Sequence, residues 1–136
     1  MPFVLDSSVA LAWVLPDERS DAVDEIAASL ENDYAVVPAI WPLEVLNALL
    51  VATRRARIGA DDLQRMLSHL AALPVEVETT VLTHVFEAVG SIAQRHAITS
   101  YDAAYVELAK RRGLSVATLD EKLKEVSLAE RLAVLP

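Results

Sequence analysis

The chain has no cysteine, which excludes disulfides, thiolate metal ligands and a Cys nucleophile. It also lacks an excess of basic residues: 12 Lys and Arg stand against 20 Asp and Glu, a net charge of −8. A generic nucleic-acid coat is basic, so this balance argues against non-specific DNA or RNA binding. It leaves room for a metal-dependent nuclease, in which bound cations offset the charge locally. No run of about 18 apolar residues occurs, because the longest apolar stretches are interrupted by Asp, Glu, Arg or Pro. The start, Met1-Pro2-Phe3-Val4-Leu5-Asp6, lacks the basic region and long apolar run of a signal peptide. The expectation is a cytoplasmic protein with no membrane span. The three histidines, His69, His84 and His96, show no ligand spacing and are expected to be ordinary helix or surface residues.

What is present is apolar residue in quantity. A hydrophobic share of 54% is high for a soluble domain and implies a large core, a sizeable interface, or both. The 136 residues are expected to form one domain, 1–136, burying roughly two-thirds of the unfolded surface. Short apolar runs alternate with longer amphipathic segments. That pattern predicts a three-layer α/β/α sandwich around a mainly parallel sheet of four to five strands. The strands are expected at 3–5, 34–37, 75–77 and 114–118, with a short fifth at 133–135. The helices are expected at 9–14, 20–30, 42–55, 61–72, 81–95 and 101–112, with a last one starting near Glu121. Gly59 is expected to end the third helical segment. In the segment 81–95, Leu82, Val85, Phe86 and Val89 share one face at i, i+3, i+4, i+7 spacing. Two basic strips, Arg54-Arg55-Ala56-Arg57 and Lys110-Arg111-Arg112, stand at helix ends. They either complement the helix dipole or hold phosphates.

Four acids, Asp6, Glu44, Asp102 and Asp120, stand near junctions where an apolar run meets a helical pattern. Each has a purely structural account. Asp6 and Asp120 suit helix N-caps, Glu44 sits in a first turn where the dipole favours a carboxylate, and Thr99-x-x-Asp102 resembles a capping box. Their neighbours tell against four separate caps. Val4-Leu5, Val45-Leu46, Ala103-Ala104 and Val116-Ala117 are core-entering segments, so the acids stand at the rim of the core. In a parallel sheet such junctions share one edge, the usual ligand site. Two like charges about 4 Å apart cost on the order of 4 kcal/mol at an effective dielectric of about 20. A cluster of four therefore raises its own pKa values or recruits a cation. Oxygen ligands without Cys or clustered His point to Mg²⁺ or Mn²⁺. Polar companions are Ser7 and Ser8 after Asp6, Asn47 one helical turn from Glu44, and Thr118 two residues before Asp120.

Four segments in order carry a resemblance: Val4-Leu5-Asp6-Ser7-Ser8-Val9, Pro42-Leu43-Glu44-Val45-Leu46-Asn47-Ala48-Leu49, Thr99-Ser100-Tyr101-Asp102-Ala103-Ala104-Tyr105 and Thr118-Leu119-Asp120-Glu121-Lys122-Leu123. The chain resembles the PIN domain, specifically the small VapC-type toxins of bacterial and archaeal toxin–antitoxin pairs. The resemblance implies a Mg²⁺- or Mn²⁺-dependent endoribonuclease that acts on RNA, forms a homodimer and is neutralised by a small antitoxin protein. It implies Asp6, Glu44, Asp102 and Asp120 as the catalytic, metal-binding acids, with Asp6 and Asp102 the principal ligands. Ser8, Asn47 and Thr118 fall at positions that the family often fills with small polar residues, while Glu121 stands either as an accessory ligand or as a first-turn helix acid. Other readings are a PIN-like RNA-processing nuclease outside a toxin–antitoxin pair and a non-catalytic RNA- or partner-binding module. An acid-phosphatase-like enzyme would want Asp-x-Asp where this chain has Asp6-Ser7-Ser8. Leu11, Trp13, Val14 and Trp41 either face a partner or complete the core.

Overall fold

The computed structural model describes residues 1–136. Strands β1 (Phe3–Leu5), β2 (Ala35–Val37), β3 (Val75–Val77), β4 (Ser115–Ala117) and β5 (Val134–Leu135) form one sheet in the order β3-β2-β1-β4-β5. Every pairing is parallel, a step beyond the mainly parallel sheet expected. The helices are α1 (Ser7–Val14), α2 (Asp21–Ser29), α3 (Trp41–Arg54), α4 (Ala60–Ala71), α5 (Leu82–His84), α6 (Gly90–His96), α7 (Ser100–Arg112) and α8 (Glu121–Ala129). They flank the sheet, giving the expected α/β sandwich. All three residues of β1 and of β2 are buried. Their unbroken apolar sequence, rather than alternation, follows from a sheet covered on both faces.

Local chemistry places the helix starts. Ser20 accepts from the Val23 amide at 3.4 Å, Thr99 from the Asp102 amide at 3.1 Å and Asp120 from the Leu123 amide at 2.9 Å, each an N-cap. Gly113, at φ 66°, closes α7 in the left-handed region that glycine enters without steric cost. The end of α3 works differently. Gly59 opens α4 as its N-cap, and the chain reverses at Ala56, where φ is 56°. The Arg57 amide reaches back to the Ala52 carbonyl at 2.9 Å, which satisfies a carbonyl of the last turn.

One further expectation is corrected, and two open alternatives are resolved. The segment 81–95 is not one regular helix: a π turn at Val85–Val89 separates α5 from α6. The shifted register buries Val89 but leaves Leu82 and Phe86 exposed, Phe86 at 73%. Trp13 and Trp41 are buried, and the Trp13 indole donates to the Val23 carbonyl at 2.6 Å, so neither is free to meet a partner. The strip Lys110–Arg112 is occupied within the chain. Lys110 pairs with Glu130 at 2.6 Å, Arg111 with Glu107 at 2.9 Å and Arg112 with Glu78 at 2.7 Å.

Glu130 joins α8 to α6 and α7, because Arg95, His96 and Lys110 all converge on its carboxylate. Those donors lower its pKa to about 2. A depressed carboxylate stabilises the fold above its unfolded pKa and loses that contribution as pH falls. Glu130→Gln should therefore cost about 1–2 kcal/mol at pH 7. The deficit relative to the parent should shrink as pH drops from about 4.5 toward 2, measured by urea unfolding across pH.

Candidate active site

The sheet order brings chain segments far apart in sequence to one place. From β1 the connections run outward to β2 and β3 on one side, while β4 and β5 lie on the other. The C-terminal ends of β1 and β4 therefore flank the point where strand order reverses, the crevice in which open α/β sheets take ligands. Asp6 follows β1 directly, and its amide donates to the Ala117 carbonyl of β4 at 2.9 Å. Thr118 and Asp120 follow β4.

The carboxylate of Asp6 does not cap α1. Instead Oδ2 accepts from the Ser8 hydroxyl at 2.6 Å and from the Thr118 hydroxyl at 2.8 Å. Ser8 Oγ also accepts from the Leu119 amide at 2.9 Å, and Thr118 Oγ1 from the Asp120 amide at 3.0 Å. Two hydroxyls thus lock the loop after β4 onto the start of α1 and aim a buried carboxylate. Burial raises the Asp6 pKa and Asp120 adds to the rise, while the hydrogen bonds of Ser8 and Thr118 oppose it.

The other three acids are held in different ways. The Asp102 amide is capped by Thr99, but the Thr99 amide has no return bond to the Asp102 carboxylate, so the box forms on one side only. Desolvation raises its pKa first, followed by the charges of Asp120 and Asp6. Glu44 is raised by desolvation and then, against the pull of a Tyr105 hydrogen bond, by Asp6 and Asp102. Asp120 is exposed and spends Oδ1 as the cap of α8. Asn47 is exposed and is not hydrogen-bonded to Glu44, whose partner is the Tyr105 hydroxyl. Glu121 is an exposed first-turn residue of α8. Tyr105 is a site residue to which the sequence alone assigns no role. Its signal was a hydroxyl-bearing ring three positions after Asp102 in an apolar run, hence on the same helical face.

Asp6 and Asp102 are within Coulombic reach of each other and of both Glu44 and Asp120; no three His, Asp or Glu side chains close on one coordination point. None of the four has a Lys, Arg or His within 4.0 Å, whereas nine other acids do and Asp33 pairs with the N-terminal ammonium. An all-oxygen, uncompensated, partly buried donor set fits a hard divalent cation and offers nothing to a soft one. Burial first, and neighbouring carboxylates after it, raise the pKa values of Asp6, Glu44 and Asp102, as buried like charges do with no cation between them.

The model for the PIN domain matches residues 3–128. Ribonuclease VapC3 of Pyrobaculum aerophilum is 33% identical over 129 residues, covering 92% of this chain and 94% of that protein. Ribonuclease VapC9 of Mycobacterium tuberculosis is 32% identical over 127 residues, covering 93% and 92%. Among solved structures, VapBC2 from Rickettsia felis bound to a DNA fragment from their promoter superposes with a TM-score of 0.68 at 12% identity. It covers 98% of this chain and 97% of that one. A match over nearly the whole sequence, with both relatives named as VapC ribonucleases, means that this chain belongs to the PIN domain family.

Proposed function

We propose that the protein is a divalent-metal-dependent endoribonuclease and the toxin of a toxin–antitoxin pair. What supports this reading is that Asp6 and Asp102 lie within Coulombic reach of each other and of both Glu44 and Asp120, near the β1–β4 crevice and with no Lys, Arg or His beside them. Asp6 and Asp102 are the principal ligands, Glu44 and Asp120 complete the set, and Mg²⁺ or Mn²⁺ is the ion that the oxygen donors suit. A bound cation there supplies a lowered water pKa and neutralises charge developing on the phosphodiester.

The chain's own residues do the rest. Ser8 and Thr118 hold the Asp6 carboxylate in one orientation. Glu44, raised by burial, is suited to take a proton from the attacking water. No histidine stands among these acids, so acid–base work falls to carboxylates. Leu43, Tyr101 and Leu119, the residues preceding Glu44, Asp102 and Asp120, are exposed. They frame the acids with apolar surface, and the Tyr101 ring offers a face on which an unpaired base can stack. RNA is the substrate favoured by kinship to proteins named ribonucleases. A small antitoxin and a second copy of the chain are the proposed protein partners.

The test is cleavage of a single-stranded RNA with end-group mapping. Cleavage should require Mg²⁺ or Mn²⁺, stop with EDTA, and leave 5′-phosphate and 3′-hydroxyl ends, because a metal-activated water has no need of the 2′-hydroxyl. Cyclic-phosphate ends, or full activity in EDTA, would refute the mechanism.

A further inference from the structure

Tyr105 is a fully buried side chain on α7, locked in the core between the sheet and the neighbouring helices. A buried phenol must place its hydroxyl on an acceptor or lose the cost of desolvating it. The acceptor here is Glu44 Oε1, 61 positions away in sequence. It is the one side-chain hydrogen bond that joins α3 to α7. The packing of the two helices is otherwise directed elsewhere, α3 onto α1 and α4, and α7 onto β1, β4, α6 and α8. Glu44 Oε2 has no protein donor, so the bond pins one oxygen and leaves the other free of protein partners. Tyr105 also stands one helical turn after Asp102. One rigid helix face therefore carries both a ligand and the group that holds another ligand.

We propose that Tyr105 is a positioning residue that fixes the Glu44 carboxylate for cation binding and for the attack of water, with Oε1 spent on the phenol and Oε2 available to the site. This rests on the nuclease reading above. The phenol O–H donates to the Glu44 carboxylate, a charge-assisted hydrogen bond that holds the acceptor in one orientation. Orienting partners of metal ligands commonly govern about 10- to 100-fold in metal affinity or activity.

The experiment measures Mn²⁺ affinity by titration calorimetry, kcat and KM on single-stranded RNA, and thermal unfolding. The variants are Tyr105→Phe, Glu44→Gln, the combination of these two, and Glu44→Asp, with Asp102→Asn as reference. Tyr105→Phe should weaken Mn²⁺ binding about 10-fold and lower kcat about 10-fold at unchanged KM. In the Glu44→Gln background it should add no further loss, because the residue acts through Glu44. Glu44→Asp, one methylene shorter, leaves the core ring intact and should lose the same contact and a similar Mn²⁺ affinity. Wild-type Mn²⁺ affinity in Tyr105→Phe or in Glu44→Asp overturns the proposal, as do additive losses in the double variant. If Asp102→Asn keeps both Mn²⁺ binding and cleavage, the nuclease reading itself fails, and that outcome is separate from a silent Tyr105→Phe.

Discussion

Asp6→Asn will lower RNA cleavage by about 10³-fold, the scale lost when a group that stabilises transition-state charge is removed, while the protein stays folded. Asp6 is the buried member of the acid cluster and the one held by two hydroxyls, so its substitution removes a pre-aimed negative oxygen. The amide is nearly isosteric and keeps one acceptor for Ser8 or Thr118. Metal-free stability should be unchanged or higher at pH 7, and the sign follows from burial. The folded pKa of Asp6 lies above its ordinary value of 3.8. Its ionised form is therefore disfavoured in the folded state, a penalty present above the folded pKa and gone as pH falls below the unfolded one. The amide carries no such penalty. Single-turnover cleavage with and without Mn²⁺, beside urea unfolding of both proteins, separates the two effects. An Asp6→Asn protein that still cuts RNA would show that the acids are not the site.

The largest loss of stability is expected at Leu49, on the same helix as Glu44 but facing the core. Leu49 is fully buried, and Val45 and Ala52 share its face of α3. Truncating such a leucine removes its transfer free energy and leaves a cavity that close-packed neighbours fill only in part. Leu49→Ala should cost about 3 kcal/mol, a fall in midpoint of about 10 °C for a chain of this size. Cleavage at low temperature should survive, because no hydrogen bond of the acid cluster involves Leu49. Thermal unfolding and activity at about 15 °C give the comparison: Asp6→Asn leaves the fold and loses the reaction, Leu49→Ala the reverse. A loss of less than about 1 kcal/mol at Leu49 would mean that α3 relaxes into the cavity.

Much of the architecture was legible because local and tertiary preferences coincide. Phe3-Val4-Leu5 and Ala35-Val36-Val37 are apolar on both faces, and only a strand covered on both sides needs that. Ser20, Thr99, Asp120 and Gly113 carry their capping roles in their own side chains or backbone, so the helices they bound appeared within two residues of where they were expected. The segment 81–95 misled because a heptad-like spacing assumes 3.6 residues per turn. The π turn at Val85–Val89 changes that register and points Phe86 outward. Gly59 misled because a glycine after a helix suggests its end, whereas the reversal had already been made by Ala56.

The site divides in the same way. Its residue types were determined by the sequence alone: four acids near strand–helix junctions, small hydroxyl residues beside them, and no soft ligand. Those features depend on chemistry and on position along one chain. Which of the companions work together was decided by tertiary structure. Ser8 and Thr118 meet on Asp6 across 110 positions, while Asn47, close to Glu44 in sequence, faces solvent. Glu44 is held by Tyr105 instead. Helical spacing reports which side chains share a face, but not which face a distant helix presents. That depends on how the parallel crossovers stack α3 and α7 around the β1–β4 crevice, a long-range packing that no local propensity encodes.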